Sequence, residues 1–440
     1  MRKLCDINMY TMIHYSVFIF FFGGLATISF YRNNTSQGVA SNTFNVTPTI
    51  ASTCDLFSGR WVHDNKSHYP LYEEHECPYL DEGYACQTYG RKDFKYLQWR
   101  WQPHDCDFPR FVEKAILERL RGKRLMFVGD SLVRNQWNSM ICMLYTSIPG
   151  VKRIGGELIG SLRTFRFTDY NISIDFYWAP MLVESNGDSP TDHLTAFRIV
   201  RIKSIEKHAR HWVNSDILIF NSYRWWRSHV SGGSLLDDPN NVYEEVNMVR
   251  AYKLGLKTWS NWAHTHIDPS KTKLFFMSAT AVHVMANEWG GMSTMNCYGE
   301  TEPVMDDRFW ESQTDPKMLR ILESSLHNLK AKGVNVQIIN ITQLTQCRKD
   351  GHPALYRKHW RPLTDEQKRT RNLLQIVHTG VFLEFLIFGM NFSWLTFSVN
   401  NIKAANFTSV NIGNDHGYNC LHLYYFKPLF VYLCLLGHHT

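Results

Sequence analysis

The stretch Arg124-Leu-Met-Phe-Val-Gly-Asp-Ser-Leu-Val-Arg-Asn-Gln-Trp137 decides the fold of this 440-residue chain. Its first residues, 124–128, form a short apolar run that ends at Gly129, and this pattern predicts a buried strand. From Ser131 to Leu144 the apolar residues recur at helical spacing and predict a helix. The Gly-Asp-Ser tripeptide therefore lies at a predicted turn from strand to helix.

Later parts of the chain repeat this alternation of apolar runs and helical stretches. Strands separated by helices imply a mostly parallel sheet flanked by helices, so we predict an α/β fold. The further strand-like runs are Ile217-Leu-Ile-Phe220, Leu274-Phe-Phe-Met277 and Val336-Gln-Ile-Ile339, with a predicted helix from Met318 to Leu329.

The predicted turn suits a serine nucleophile at Ser131. A turn of this kind lifts the hydroxyl above the carboxyl end of the strand, beside free N–H groups that stabilise a developing oxyanion. Gly129 permits a tight backbone at this point. Such a serine needs a general base, normally His, because a free hydroxyl is a poor nucleophile at neutral pH. The structural alternative is that Asp130 or Ser131 is an ordinary helix N-cap.

The beginning of the chain predicts a membrane anchor. Two basic residues precede an uncharged stretch from Ile7 to Tyr31, which is long enough to span a bilayer. Positive charge keeps that end in the cytosol, and no small-x-small cleavage site follows. We therefore predict a cytosolic tail at 1–7, a retained signal-anchor helix at 8–31 and a flexible stem at 32–53. The remainder would be lumenal, as several Asn-x-Ser/Thr sequons also indicate.

The cysteines predict an oxidised framework. They cluster between Cys54 and Cys142 with spacings that fit no C-x-x-C zinc pattern. We therefore predict a disulfide-rich N-terminal lobe at 54–110, followed by the catalytic domain at 111–369. The histidines do not cluster with metal-ligand spacing, so the sequence predicts no metal site.

The charge distribution argues against a nucleic-acid partner. The formal net charge is +7, and basic residues alternate with acidic ones without forming a block. This mild basic excess fits an acidic polymer or a CoA-like donor. The high aromatic fraction of 14% suits either flat sugar faces or core packing.

Phe127-Val-Gly-Asp-Ser-Leu-Val-Arg-Asn-Gln-Trp137 resembles the Gly-Asp-Ser block of the plant trichome-birefringence-like family. The fold of that family is similar to the fold of SGNH/GDSL esterases. The resemblance covers residues 54–369 and looks most like the members that acetylate xylan. The other matching segments are Trp99-Arg-Trp-Gln-Pro103, Tyr177-Trp-Ala-Pro180, Phe220-Asn-Ser-Tyr223 with Trp225-Trp226, Glu288-Trp-Gly-Gly291, and Gly351-His-Pro353 followed by Tyr356-Arg-Lys358.

The resemblance implies a polysaccharide O-acetyltransferase of the PC-esterase type. Ser131, within the motif that includes Gly129 and Asp130, would take an acetyl group from a donor. The donor would be acetyl-CoA or an acetylated intermediate, acting as co-substrate without any bound cofactor. A xylosyl hydroxyl of xylan would then attack the acyl-enzyme. The resemblance also implies a single-pass type II protein of the Golgi membrane with a lumenal catalytic domain.

Several residues keep two alternative roles at this point. Asn221 is a candidate oxyanion-hole residue or a structural loop residue. Arg134 would bind substrate or brace the turn. Trp225 and Trp226 would line a glycan groove or pack in the core. His283 is expected to be structural, because the base of the family lies elsewhere.

The chain departs from the family near its end. The base and its acidic partner belong to a late block, D-C-x-H-W-C-x-P-G-x-P-D-x-W-N-E-L, which should follow Thr364-Asp-Glu-Gln-Lys368. The chain instead reads Gln375-Ile-Val-His-Thr-Gly-Val-Phe-Leu-Glu-Phe-Leu-Ile-Phe-Gly-Met-Asn391. Back-translation, regrouped from the last base of the Gln375 codon, permits D-C-T-H-W-C-F-P-G-V-P-D-I-W-N-E-L. We therefore interpret residues 370–440 as an out-of-frame tail.

Losing this block bears on both disulfides and function. The block would carry two cysteines, so two thiols of the matched region are expected to lack partners, with Cys347 as a further free thiol. The disulfide candidates are Cys54, Cys77, Cys86, Cys106, Cys142 and Cys297.

Two alternatives to the acetyltransferase stay open: a polysaccharide acetylesterase, in which water replaces the sugar, and a catalytically dead glycan-binding isoform.

Overall fold

The computed structural model describes residues 55–64, 70–107, 113–193, 198–227, 234–237, 243–359 and 362–363. The predicted cytosolic tail at 1–7, anchor at 8–31, stem at 32–53, and out-of-frame tail at 370–440 lie outside the described residues. In the described part, no helix is both long and apolar enough to cross a membrane.

The described residues form alternating strands and helices. The strands are β1 (Gly59–His63), β2 (Trp99–Pro103), β3 (Arg124–Gly129), β4 (Arg153–Ile159), β5 (Leu162–Phe167), β6 (Ile172–Trp178), β7 (Glu184–Ser185), β8 (Arg198–Arg201), β9 (Ile217–Phe220), β10 (Ser234–Asp237), β11 (Tyr243–Val246), β12 (Lys273–Met277) and β13 (Val336–Ile339). The α-helices are α1 (Glu113–Leu120), α2 (Ser131–Ser147), α3 (Glu206–Ala209), α4 (Arg224–Arg227), α5 (Met248–His266), α6 (Pro316–Ala331) and α7 (Thr342–Gln346).

A seven-stranded sheet forms the centre of the molecule. Its strand order is β13-β12-β9-β3-β6-β5-β4. The five strands from β13 to β6 pair in parallel, whereas β5 and β4 add an antiparallel edge. The predicted mostly parallel α/β sheet is therefore confirmed, and the antiparallel edge is an addition that the apolar runs did not indicate. A smaller sheet has the order β11-β10-β8-β7.

Alternate residues of β3 supply two cores on opposite faces of the sheet. Leu125 and Phe127 pack with buried residues of α1 and α2. Met126 and Val128 pack with buried residues of α5 and α6. All four side chains are fully buried, and burying an apolar side chain of this size contributes about 1.5–3 kcal/mol. The sheet is therefore covered on both faces, as parallel sheets require.

Helices α5 and α6 run side by side in the same direction. α5 leads into the amino end of β12, and α6 leads into the amino end of β13. Since β12 and β13 are parallel, both helices begin near the carboxyl edge of the sheet and run toward its amino edge.

The N-terminal part is tied to the main domain by packing and by a disulfide. β1 and β2 pair in an antiparallel manner, and their tryptophans Trp61, Trp99 and Trp101 pack with Leu344 of α7. A disulfide joins Cys77 to Cys142 of α2, and Cys106 is also disulfide-bonded. Cys54 lies outside the described residues.

Candidate active site at the carboxyl edge of the sheet

Gly129 ends β3 at the point where another loop comes very close. Its φ is 155°, and a Cβ added there would lie 2.3 Å from the carbonyl oxygen of Asn221. The backbone N–H of Asn221 donates to the carbonyl of Val128 at 3.0 Å, which holds the two strands together. Only glycine fits this approach without displacing the backbone.

Asp130 is the N-cap of α2, so the alternative prediction of an ordinary helix cap holds for this residue. Its Oδ1 accepts a hydrogen bond from the Leu132 N–H at 2.9 Å. The carboxyl group is fully buried, and burial raises its pKa to about 6, although the bond from Leu132 acts in the opposite direction. Its Oδ2 is buried without a hydrogen-bond partner in the described part of the chain.

Ser131 is the first residue of α2 and is partly exposed. Its carbonyl oxygen accepts a hydrogen bond from the Tyr84 hydroxyl at 2.7 Å. Among the residues that the structure describes, none hydrogen-bonds to the Ser131 hydroxyl. The turn therefore presents the serine at a helix N-terminus, as the sequence predicts, although Asp130 already accepts from the Leu132 N–H, and the described residues supply no base.

Arg134 lies one turn further along α2 and faces the N-terminal part. Its Nε is 3.7 Å from Asp81 Oδ2, and its guanidinium interacts with Tyr84. These contacts favour a role in bracing the turn, and substrate binding by Arg134 stays a prediction.

Two further arginines lie within electrostatic range of Arg134. Burial, together with the charge of Arg134, lowers the pKa of both Arg163 and Arg357. The carboxylate of Asp81 offsets part of this positive charge, since it acts to raise the pKa of Arg163. Sequence reasoning did not assign a role to Arg163 or Arg357, although the Tyr356-Arg-Lys358 segment was a signal for the latter.

Asn221 lies at the same edge but uses both of its side-chain donors. Its Nδ2 donates to the carbonyl oxygens of Met277 and Ser278, each at 3.0 Å. This fully buried side chain therefore ties the end of β9 to the end of β12. Neither N–H is available to an oxyanion in this arrangement, and the oxyanion-hole role stays a prediction.

The two adjacent tryptophans differ in environment. Trp225 is half-buried, 5.4 Å from the ring of Trp178, and the guanidinium of Arg198 lies 4.1 Å from its ring centre. Trp226 is only 2% exposed and donates from Nε1 to the Ser222 hydroxyl at 2.8 Å. The structure therefore places Trp226 in the core and leaves Trp225 partly exposed, so a place for Trp225 in a glycan groove stays a prediction.

His283 is fully buried and contacts a second histidine, His352. Its Nδ1 is 2.8 Å from His352 Nε2, and its Nε2 donates to the Gln346 carbonyl at 2.6 Å. Burial lowers the pKa of His283 to about 4. The residue therefore joins two loops and has the structural surroundings that the sequence led us to expect.

A buried Ser-His-Asp grouping lies beside β7 and α3, and sequence reasoning missed it. Asp188 Oδ1 accepts a hydrogen bond from the Ser185 hydroxyl at 2.9 Å, while Asp188 Oδ2 is 3.1 Å from His208 Nε2 and accepts from Lys207 at 2.8 Å. The carboxylate thus lies between the serine and the histidine. This order differs from that of a catalytic triad, in which the histidine is central.

Two of the cysteines that were disulfide candidates are free, buried thiols. Cys86 and Cys297 are both reduced, as is Cys347. Burial raises the pKa of Cys86 to about 12, so this thiol is not a nucleophile at neutral pH. Two partnerless candidates agree with the interpretation that a cysteine-bearing block has been lost. Among the described residues, no group of three His, Cys, Asp or Glu side chains is arranged to hold a metal ion.

Two family profiles cover most of the chain. Residues 108–372 match the PC-Esterase profile, a GDSL/SGNH-like acyl-esterase family found in Pmr5 and Cas1p. Residues 52–107 match the profile of the PMR5 N-terminal domain. The first match stops just before Gln375, where we place the change of frame.

Individual relatives agree with these profiles. Protein trichome birefringence-like 34 of Arabidopsis thaliana is 47% identical over 366 residues, which cover 82% of this chain and 89% of that protein. Xylan O-acetyltransferase 14 of Oryza sativa subsp. japonica is 44% identical over 338 residues, 72% of this chain and 71% of that protein. The chain therefore belongs to the PC-esterase family of acyl-transferring enzymes, together with the trichome birefringence-like proteins.

Proposed function

We propose that this protein is an O-acetyltransferase that acts on xylosyl hydroxyls of xylan through an acyl-Ser131 intermediate. The observation that carries the proposal is the turn itself: Ser131 is partly exposed as the first residue of α2, directly after β3 of the parallel sheet. Relatives named xylan O-acetyltransferases support xylan as the acceptor.

The reaction would proceed in two balanced steps. In the first, Ser131 Oγ attacks the acetyl carbonyl, the bond to the donor breaks, and the serine proton passes through the base to the leaving group. In the second, a xylosyl hydroxyl attacks the acyl-serine, the ester bond to Ser131 Oγ breaks, and the sugar proton passes through the base to Ser131 Oγ. The helix N-terminus would stabilise the oxyanion of both tetrahedral intermediates. The donor in this proposal is acetyl-CoA or an acetylated intermediate.

The base in this scheme comes from the Asp-x-x-His block that the regrouped reading of Gln375–Asn391 restores. Since the described residues give Ser131 no base, the chain as written would be a weak enzyme. The same observation favours one other candidate function, a glycan-binding protein without catalytic activity.

The test compares the chain as written with a chain that carries D-C-T-H-W-C-F-P-G-V-P-D-I-W-N-E-L in place of Gln375–Asn391. Each is incubated with xylo-oligosaccharides and an acetyl donor, and acetylated sugar and free acetate are measured. We expect the second chain to transfer acetyl groups roughly a thousandfold faster or more. Ser131→Ala should abolish this transfer, whereas Ser270→Ala, at an exposed serine, should not.

Four other outcomes would change the proposal. A folded second chain without transfer would contradict it, as would transfer that survives Ser131→Ala. Free acetate in large excess over acetylated sugar would favour the acetylesterase. Sugar binding without chemistry in both chains would favour the glycan-binding alternative.

We also propose a location in the Golgi membrane, with residues 8–31 as a type II anchor and the catalytic domain in the lumen. The apolar anchor stretch supports this proposal. Protease added to intact Golgi vesicles should leave the domain uncut, and cleavage before detergent is added would contradict the proposed orientation.

A further inference from the structure

A groove of about 760 Å³ lies between α5 and α6, and its walls are strongly basic. α5 contains no acidic residue, and the acidic residue of α6, Glu323, does not line the groove. The cations that line the groove are Arg250, Lys253, Lys257, Lys317, Arg320 and Lys332. Five of them, all except Arg250, form no ion pair with any described residue.

The lining of the groove also includes apolar and neutral hydrogen-bonding groups. Leu254 and Ile321 supply apolar surface, while Asn261 and Asn328 supply amides. The Ser260 hydroxyl also lines the groove and is buried without a hydrogen-bond partner in the described part of the chain. Such an orphaned hydroxyl is costly unless a ligand satisfies it. Amides and a hydroxyl beside several cations match the hydroxyls and carboxylates of an acidic sugar chain.

The groove begins at the edge of the sheet that holds Ser131. The backbone N–H of Asp315, at the start of α6, donates to the Tyr223 hydroxyl at 2.8 Å. Arg227 of α4 lies 3.8 Å from the Asp315 carboxylate, so α4 joins the start of α6 to the end of β9. From this edge α5 runs for 19 residues, which is roughly 28 Å at the helical rise. A polymer in the groove could therefore extend from the catalytic edge along the domain.

We propose that this groove, termed the α5/α6 groove, binds a carboxylate-bearing segment of the acceptor polysaccharide, such as a chain with uronic-acid side groups. This inference rests on the proposed function, because it names a feature of the same acceptor. The concave shape and the hydrogen-bonding groups of the lining favour a single polymer strand over the flat face of an anionic membrane. Its size is that of ordinary ligand sites, which suits a short stretch of sugars.

Binding is tested without any acetyl transfer, in the full chain carrying Ser131→Ala. Fluorescence anisotropy compares labelled xylo-oligosaccharides with and without uronic-acid groups. We expect tighter binding of the acidic oligosaccharide and a loss of this preference at high salt, because exposed charges are screened. The double variant Lys257→Ser with Arg320→Ser should weaken acidic binding roughly tenfold, as removal of two exposed ion pairs implies. The neutral oligosaccharide should be unaffected.

A matched control removes two exposed cations outside the groove, Lys114→Ser with Lys330→Ser, and should leave binding unchanged. Equal loss in both double variants would reduce the effect to net charge and overturn the proposal. Equal affinity for the acidic and neutral sugars would also overturn it, as would tighter groove-dependent binding of anionic vesicles or single-stranded DNA. Because no step of the assay involves chemistry, these outcomes are independent of whether Ser131 forms an acyl-enzyme.

Discussion

The Ser131 turn and the Asp188 cluster contain similar residue types but connect them differently. At the turn, Ser131 is partly exposed and Asp130 caps the helix, so the two side chains act separately. In the cluster, Asp188 binds both Ser185 and His208 and leaves the serine without a contact to the imidazole.

The comparison shows that a serine, a histidine and an aspartate in proximity do not make a triad. A histidine activates a serine only when it lies between the hydroxyl and the carboxylate. The Asp188 cluster lacks this order and is almost fully buried, so it joins β7 to α3. The Ser131 turn has the exposure and the helix N-terminus that such chemistry needs, but the described residues give it no base.

The two regions also respond differently to an added methyl group, and this gives the largest expected change in stability. Gly129→Ala would place Cβ 2.3 Å from the Asn221 carbonyl oxygen, in backbone that cannot rotate away. We expect a loss of roughly 3–5 kcal/mol in the free energy of unfolding, from backbone strain and overpacking together. Urea-induced unfolding measures this loss.

Gly187→Ala, next to Asp188, is the matched control. Its Cβ would lie 2.6 Å from the ring of Trp225 and 2.9 Å from Arg198 Nη1, so both contacts are with side chains rather than with backbone. We expect a loss of about 1–2 kcal/mol there. Equal stability of the two variants would show that the close approach at Gly129 is not essential.

The strands and the nucleophile turn could be predicted because their signals are local. The apolar runs before Gly129, Asn221 and Ser278 all became parallel strands, and the two predicted helices are present as α2 and α6. A strand followed by Gly-Asp-Ser fixes the position of Ser131 whatever lies around it.

The roles of side chains could not be predicted in the same way, because they depend on partners distant in sequence. The donors of Asn221 are used by carbonyls that β12 brings close, and the core position of Trp226 depends on packing against α5. The antiparallel strands β4 and β5 gave no clear apolar signal, since many of their residues are exposed. The α5/α6 groove requires two helices separated by some fifty residues of sequence.

The Asp188 cluster should stabilise the fold at neutral pH. Although burial alone would raise it, hydrogen bonds from His208, Lys207 and Ser185 hold the pKa of Asp188 below its usual value. We expect Asp188→Asn to lower the free energy of unfolding by roughly 2–3 kcal/mol at pH 7.

The pH dependence of this difference tests its origin. Because the folded state releases the Asp188 proton more readily than the unfolded chain, the stabilisation is present above about pH 4 and is lost as the pH falls through the folded value. Unfolding curves of both proteins should therefore converge in acid. A difference that persists unchanged in acid would mean that shape, rather than charge, makes Asp188 important.

Asp130 should show the opposite dependence on pH, with a smaller effect. Burial raises its pKa to about 6, so the folded state holds this proton more tightly than the unfolded chain does. The stabilisation that this tightly held proton gives the folded state is complete below about pH 4 and is lost as the pH rises to about 6.

Asp130→Asn removes this loss, and asparagine also caps helices well. At pH 7.5 the variant should therefore be about 1 kcal/mol more stable, after allowing for the lost attraction between a carboxylate and the helix N-terminus. Unfolding measured at pH 4 and pH 7.5 gives both values. A variant that is less stable at pH 7.5 would show that the ionised Asp130 is held by its surroundings, most directly by the nearby guanidinium of Arg224, and that its charge stabilises the Ser131 turn.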